Sequence, residues 1–147
     1  RSHDSMISNY KYIFKGVKEY SPFMTTNILE DNFKIDNTEI ETFKHNHGSI
    51  DVQTFRINNF AYSTDIKNFY ENDIDKLKNL DLWIVGLLRY DSHPSHAGFD
   101  QILDYINYLK PKKTLFTHMT ALLDQEDLLS KCPVNVEPAY DGLEITL

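Results

Sequence analysis

Six histidines, His3, His45, His47, His93, His96 and His118, are the residues of this chain best suited to chemistry. A neutral imidazole lends a lone pair to zinc, iron or manganese, and it exchanges protons near neutral pH. Two of them alternate with an asparagine in FKHNHGSID (residues 43–51), and two more flank Pro94 and Ser95 in RYDSHPSHAG (residues 89–98). On an extended chain His45 and His47 share a face, so both could reach one ion. Gly48 and Ser49 then mark tight backbone. The expectation for His45 is a solvated residue at a strand edge. For His47 the ligand and structural readings stand level. His96, with His93 beside it, could serve as general acid for a leaving group. The competing reading has HPSH capping a helix that starts near Gly98, with Ser95 as the cap. Taken singly, each histidine is more often a surface or hydrogen-bonded structural group than a ligand. Position along the elements shifts that balance.

Those elements begin β-rich. FKIDNTEIETFK (residues 33–44) predicts a hairpin turning at Asp36-Asn37, and VQTFRINNFAYSTD (residues 52–65) a second one turning at Asn58-Asn59. NFYENDIDKLKNL (residues 68–80) spaces Phe69, Ile74, Leu77 and Leu80 as one helix face. DLWIVGLL (residues 81–88) is an apolar run suited to a strand covered on both sides. GFDQILDYINYLKP (residues 98–111) is the clearest helix, ended by Pro111. KTLFTH is a further buried strand, DQEDLLSKC a short helix ended by Pro133, and VNVEPAYDGLEITL an extended pair turning at Asp141-Gly142. The first thirty residues read as irregular, with an aromatic cluster of Tyr10, Tyr12, Phe14 and Tyr20. This β-rich start followed by β-α-β-α-β predicts an α/β layered domain. His47, Asp65, the His93–His96 loop and His118 then fall at strand ends, and loops beyond strand ends converge on one edge where ligands bind. Two histidines and a carboxylate at separate strand ends are good donors for zinc, iron or manganese.

Composition narrows the alternatives. With 147 residues, 41% of them hydrophobic, the chain suffices for one domain with a core, taken as residues 1–147. A net charge of −7 argues against a protein that coats DNA, which needs a basic face. The lone Cys132 excludes an intrachain disulfide framework and fits a reducing, cytoplasmic compartment. LWIVGLL is too short to span a bilayer. No nucleophile elbow, P-loop or dinucleotide fingerprint is present. Leu147 reads as a natural end, whereas the start at Arg1 reads as a cut, and sheet edges left open by a missing half would predict self-association.

The ordered set HG, AYSTD, LLRYDSHPSHAGFDQIL, LKPKKTLFTHM and PAYDGLEITL resembles the metallo-β-lactamase superfamily. Within it, the chain is similar to the branch of the phosphonate-operon cyclic phosphodiesterases, related to the nucleases that mature tRNA 3′ ends. The likeness runs from NYKYIF to Leu147. It implies the C-terminal half of a four-layer αββα sandwich, with a two-metal site at one sheet edge. The family's H-x-H-x-D-H motif is absent: HNHGSI begins like it, but Ser49 and Ile50 stand where Asp and His would be required. By resemblance His47 is a ligand of one metal, Asp65 the carboxylate bridging both and His118 a ligand of the second. His96 is by the same token the loop histidine that protonates the leaving oxygen, with His93 its neighbour. Gly98 stands where the family usually has Ser or Thr, and Ala121-Leu122 where it often has His-Asp.

The resemblance thus implies a metal-dependent hydrolase, phosphodiesterase-like, using zinc or manganese on a small phosphodiester, with an RNA 3′ end as the second substrate class. Two ions belong to the complete family site, and this chain alone would hold a partial one. The alternative is a non-catalytic remnant or split fragment that needs a missing N-terminal half for activity, the expected partners being that half or a second copy in a homo-oligomer. A third reading is an interaction domain that uses the aromatic N-terminal stretch.

Overall fold

The computed structural model describes residues 2–146. Residues up to Glu30 form one compact unit, and those from Asp31 onward a second. The first unit holds helices α1 (Ser2–Asn9) and α2 (Lys11–Phe14), followed by chain without regular structure. The irregular reading of this stretch therefore needs correcting over its first half. Met6 and Ile7 are the only large apolar residues of α1, too few for a helical period to show in sequence.

In the second unit, eight strands among the described residues form one sheet: β1 (Asn32–Ile35), β2 (Thr38–His47), β3 (Ile50–Ile57), β4 (Phe60–Ser63), β5 (Asn68–Phe69), β6 (Leu82–Gly86), β7 (Lys113–Thr117) and β8 (Val136–Pro138). The path is β1-β2-β3-β4-β6-β7-β8, with β5 paired to β2. Both expected hairpins form, with Ile35 opposite Thr38 and Ile57 opposite Phe60. Asp36 and Asn58 take left-handed φ values of 51° and 52°, which their short polar side chains tolerate. A third tight turn joins His47 to Ile50 through Gly48 at φ 70°.

Strands β1 to β4 are antiparallel, whereas β4, β6, β7 and β8 run parallel. Consequently β2, β4, β6 and β7 all end at the same edge. The connections are helices α3 (Glu71–Ile74), α4 (Phe99–Leu109) and α5 (Gln125–Lys131), with a 3-10 turn at Asp75–Leu77 after α3. Segment 68–80 is thus a two-residue strand, one helical turn and a 3-10 turn rather than one helix. Its apolar residues still point inward: Phe69, Leu77 and Leu80 are buried. Periodicity recorded the buried side correctly without distinguishing the backbone that presents it.

Helix α4 lays Phe99, Ile102, Ile106 and Leu109 into a core with Ala61, Trp83, Val85 and Phe116 from the sheet. Each such side chain, fully buried, contributes roughly 1.5–3 kcal/mol relative to exposure. Lys110, left-handed at φ 52°, ends α4 before Pro111. Asp124 caps α5 by accepting from the Asp127 amide at 2.9 Å. The C-terminal stretch differs from the expected pair: β8 is single, and residues 139–146 form no strand. Tyr140, Leu143 and Ile145 instead line an apolar groove with Phe60, Leu82, Ile84 and Leu115 on the sheet face away from α4. No helix among the described residues is long and apolar enough to cross a membrane.

Candidate metal centre

The shared edge gathers three histidines, His47, His96 and His118, around one carboxylate, with His93 beside His96. His47 ends β2, Asp65 follows β4, the loop with His93 and His96 follows β6, and His118 follows β7. Ligand atoms of His47, Asp65 and His96 lie within 4.8 Å of one another. His96 Nε2 and His118 Nε2 each stand 3.2 Å from Asp65 Oδ1. The His47 and His96 rings meet edge to face at 4.6 Å, and those of His96 and His118 stack at 5.8 Å.

The backbone supports this convergence. Asp65 and His118 both adopt left-handed conformations, at φ 58° and 60°. Such backbone in a non-glycine residue costs about 1–3 kcal/mol and tends to cluster at functional sites. Gly86, at the end of β6, lets the two approach. A Cβ there would lie 3.2 Å from Thr64 Cα, 3.3 Å from the Asp65 nitrogen and 3.7 Å from His118 Cβ. The loop after β6 is tied down along its length. Leu87 donates to the Thr117 carbonyl, Ala97 to that of Ile66 and Phe99 to that of Tyr90, while the His93 and His96 amides exchange bonds with each other's carbonyls.

Ser95 links the histidines. Its carbonyl accepts from His47 Nδ1 at 2.8 Å, which leaves Nε2 of a neutral His47 with its lone pair free. Its Oγ lies 3.0 Å from both His93 Nδ1 and His96 Nδ1. Ser95 therefore does not cap α4. That position is Gly98, whose residue offers no side-chain cap.

His45 corrects the solvated strand-edge expectation. It is fully buried, because β2 is flanked on both sides at this point, by Val52 of β3 and Phe69 of β5. Both its ring nitrogens are engaged, Nε2 with the Thr64 carbonyl at 2.9 Å and Nδ1 with Thr54 Oγ1 at 3.0 Å. It shares a strand face with His47 yet lies beneath the edge. His3 belongs to the N-terminal unit, where its Nε2 pairs with Thr26 Oγ1 at 2.8 Å. Cys132 is half-buried, and burial raises its thiol pKa.

The donor set suits a divalent cation. It is made of imidazole nitrogens and carboxylate oxygen, and two imidazole nitrogens converge on one carboxylate oxygen where a cation could take the place of protons. Burial lowers the His96 pKa below the ordinary histidine value, against the Asp65 hydrogen bond, which raises it. Burial likewise lowers that of His45 from 6.5, and the Thr64 hydrogen bond opposes it. The unfolded chain thus takes up protons more readily at these two sites than the folded one. Their contribution to stability is present above the unfolded value and is lost as pH falls through it toward the folded values. Thermal melts of metal-free protein are expected to drop between about pH 8 and pH 5, spanning the histidine range. A profile that rises toward acid would contradict neutral buried histidines.

Gly86, Thr54, Ser63 and Trp83 are site or supporting residues that sequence reading passed over, and Ser95 is one it read only as a helix cap. A usable signal existed for some. Counting by twos places Phe43, His45 and His47 on one face of β2, and Ala61, Ser63 and Asp65 on one face along β4.

A family model described as a β-lactamase superfamily domain matches residues 4–119. Among solved structures, the chain is similar to a diphosphatase from the PhnP family, with a TM-score of 0.86 and 23% identity, covering 99% of this chain and 55% of that one. It is also similar to the metallo-β-lactamase fold protein YhfI from Bacillus subtilis, with a TM-score of 0.66 and 15% identity, covering 95% of this chain and 61% of that one. For the short form of human tRNase Z the TM-score is 0.58 and the identity 15%, covering 79% and 47%. A curated relative, an octanoyltransferase of Porphyromonas gingivalis, is 28% identical over 151 residues, which are 96% of this chain and 30% of that protein. The chain thus spans little more than half of the PhnP-family diphosphatase and under a third of the octanoyltransferase. The strand-end cluster and the family match across residues 4–119 make this chain a member of the metallo-β-lactamase superfamily.

Proposed function

We propose that this chain supplies part of a metal-dependent hydrolytic site for small phosphodiesters. The observation that carries the reading is the convergence of His96 Nε2 and His118 Nε2 on one oxygen of Asp65, with His47 alongside. The likeness to a PhnP-family diphosphatase and to tRNase Z supports phosphate-ester chemistry over other hydrolysis. His47, Asp65 and His118 would hold the cation, zinc or manganese. A bound divalent ion supplies Lewis acidity toward water and toward phosphoryl oxygens.

The remaining work falls to this chain's own side chains. His47, fixed through Nδ1 by the Ser95 carbonyl, presents Nε2 as a donor. Asp65 offers Oδ1 between two imidazoles. His96 holds a proton at Nε2 against Asp65 and passes it to the leaving oxygen, a contribution worth about 10²–10⁴-fold for general acids. Its ring is oriented from behind by Ser95 Oγ. The H-x-H-x-D-H ligands are absent from these 147 residues, so full turnover is expected only when further ligands are supplied from outside this chain.

Metal content by mass spectrometry and hydrolysis of bis(p-nitrophenyl) phosphate test the reading. The double variant His47→Ala, His118→Ala is expected to lose its metal, and undiminished retention would sink the assignment. His96→Ala is expected to keep metal and lose turnover. Loss of metal in that variant would make His96 a ligand instead of the proton donor.

A further inference from the structure

Behind the site, the core carries a continuous run of hydrogen bonds that the hydrolytic chemistry does not use. Trp83 Nε1–H donates to Ser63 Oγ at 3.1 Å, and Ser63 Oγ lies 3.1 Å from Thr54 Oγ1. Thr54 Oγ1 lies 3.0 Å from His45 Nδ1, and His45 Nε2 lies 2.9 Å from the Thr64 carbonyl. Trp83, Ser63, Thr54 and His45 are all fully buried. The carbonyl end sets its direction, because a carbonyl oxygen only accepts, whereas the indole end fixes only that Ser63 accepts from Trp83. A neutral His45 therefore carries its proton on Nε2. Its Nδ1 accepts from Thr54, Thr54 accepts from Ser63, and Ser63 accepts from Trp83. The reverse order between the hydroxyls would leave Nδ1 donating as well, and so would require an imidazolium buried without a counter-charge in contact, a costly arrangement.

The last acceptor in this run is the carbonyl of Thr64, the residue before the left-handed Asp65. We propose that His45 is a positioning residue: its Nε2–H fixes the Thr64 carbonyl and so holds Asp65 with its carboxylate turned to His96 and His118. The site leaves little room for slack at this point. A side chain at Gly86 would crowd the same backbone, since a Cβ there would lie 3.2 Å from Thr64 Cα and 3.3 Å from the Asp65 nitrogen. The inference rests on the metal-site reading above for its functional meaning, but its geometry does not depend on a bound ion.

Three measurements on the intact protein test it. Long-range ¹H–¹⁵N correlation of the imidazoles should show His45 as the Nε2–H tautomer with an unprotonated Nδ1. An Nδ1–H tautomer would overturn the proposal, and no variant or metal is needed to see it. Zinc affinity by competition with a chelating dye forms the second arm. His45→Asn, whose amide reaches only as far as Nδ1, should weaken zinc by about 10–100-fold, the usual cost of losing a partner behind a ligand. His45→Gln, which returns an N–H near the Nε2 position, should restore most of that affinity. Equal losses in both variants would reduce His45 to core packing, and no loss in the folded Asn variant would likewise overturn the proposal. Should the parent bind no zinc, the metal-site reading fails by itself. The third arm then still decides the positioning. The Thr64 and Asp65 amide resonances should move in His45→Asn and stay in place in His45→Gln, and unmoved resonances in both would refute it.

Discussion

Asp65→Asn is expected to lower zinc affinity by more than about 100-fold, because removal of a partner behind a ligand already costs about 10–100-fold and this change removes the ligand charge itself. The variant isolates charge from shape. Asn is nearly isosteric with Asp and tolerates left-handed backbone, so φ 58° at this position stays accessible. His96 and His118 would each keep an oxygen or nitrogen within reach in place of Oδ1. The metal-free fold should therefore melt within a few degrees of the parent while zinc uptake collapses. Isothermal titration with zinc, run beside a thermal melt, checks both halves. Zinc binding close to that of the parent would remove Asp65 from the proposed centre.

Gly98→Ser is expected to destabilise the protein by about 1–3 kcal/mol, the usual range for forcing extra atoms into a filled space, and to displace His96. A Cβ at Gly98 would lie 2.6 Å from the Tyr90 carbonyl oxygen and 2.7 Å from the Ser92 nitrogen. Both are backbone atoms of the loop that carries His93, Ser95 and His96, and Phe99 bonds that same Tyr90 carbonyl at 2.9 Å. No flexible side chain stands there to yield, so the loop itself must open. The family resemblance leads one to expect Ser or Thr at this place, and here its Cβ would be the disruptive atom. Chemical denaturation measures the stability loss, and the His96 imidazole resonances report the displacement. An unchanged midpoint and unchanged resonances would show that the loop has room the structure does not display. Gly98→Ala, with the same Cβ and no hydroxyl, should behave alike if the contact is steric.

Much of the fold was legible because its signals are local. Two-residue turns rich in Asp and Asn, the apolar run 81–88 and the α4 stripe each declare themselves within a short window. Helix α1 and the break of 68–80 into several elements were not legible, since few apolar residues or mixed backbone leave no clean period. The C-terminal stretch had strand-like alternation, yet only the segment reaching β7 found a partner.

The sequence by itself determined the order of the two hairpins, β6, α4, β7 and α5, the placement of His47, Asp65, His96 and His118 at strand ends, and through them the superfamily. It also determined that His45 and His47 share a face, since side chains alternate along any strand. Only the tertiary structure decided which of the two reaches the edge. Parity reports a side of the sheet but says nothing of depth, and depth was set by β3 and β5 closing over His45 from either flank. The same holds for the links that assemble the centre. His47 meets Ser95 across 48 residues of sequence, and His96 meets Asp65 across 31. Contacts at such separations arise from strand pairing and packing as a whole, and no local pattern encodes them.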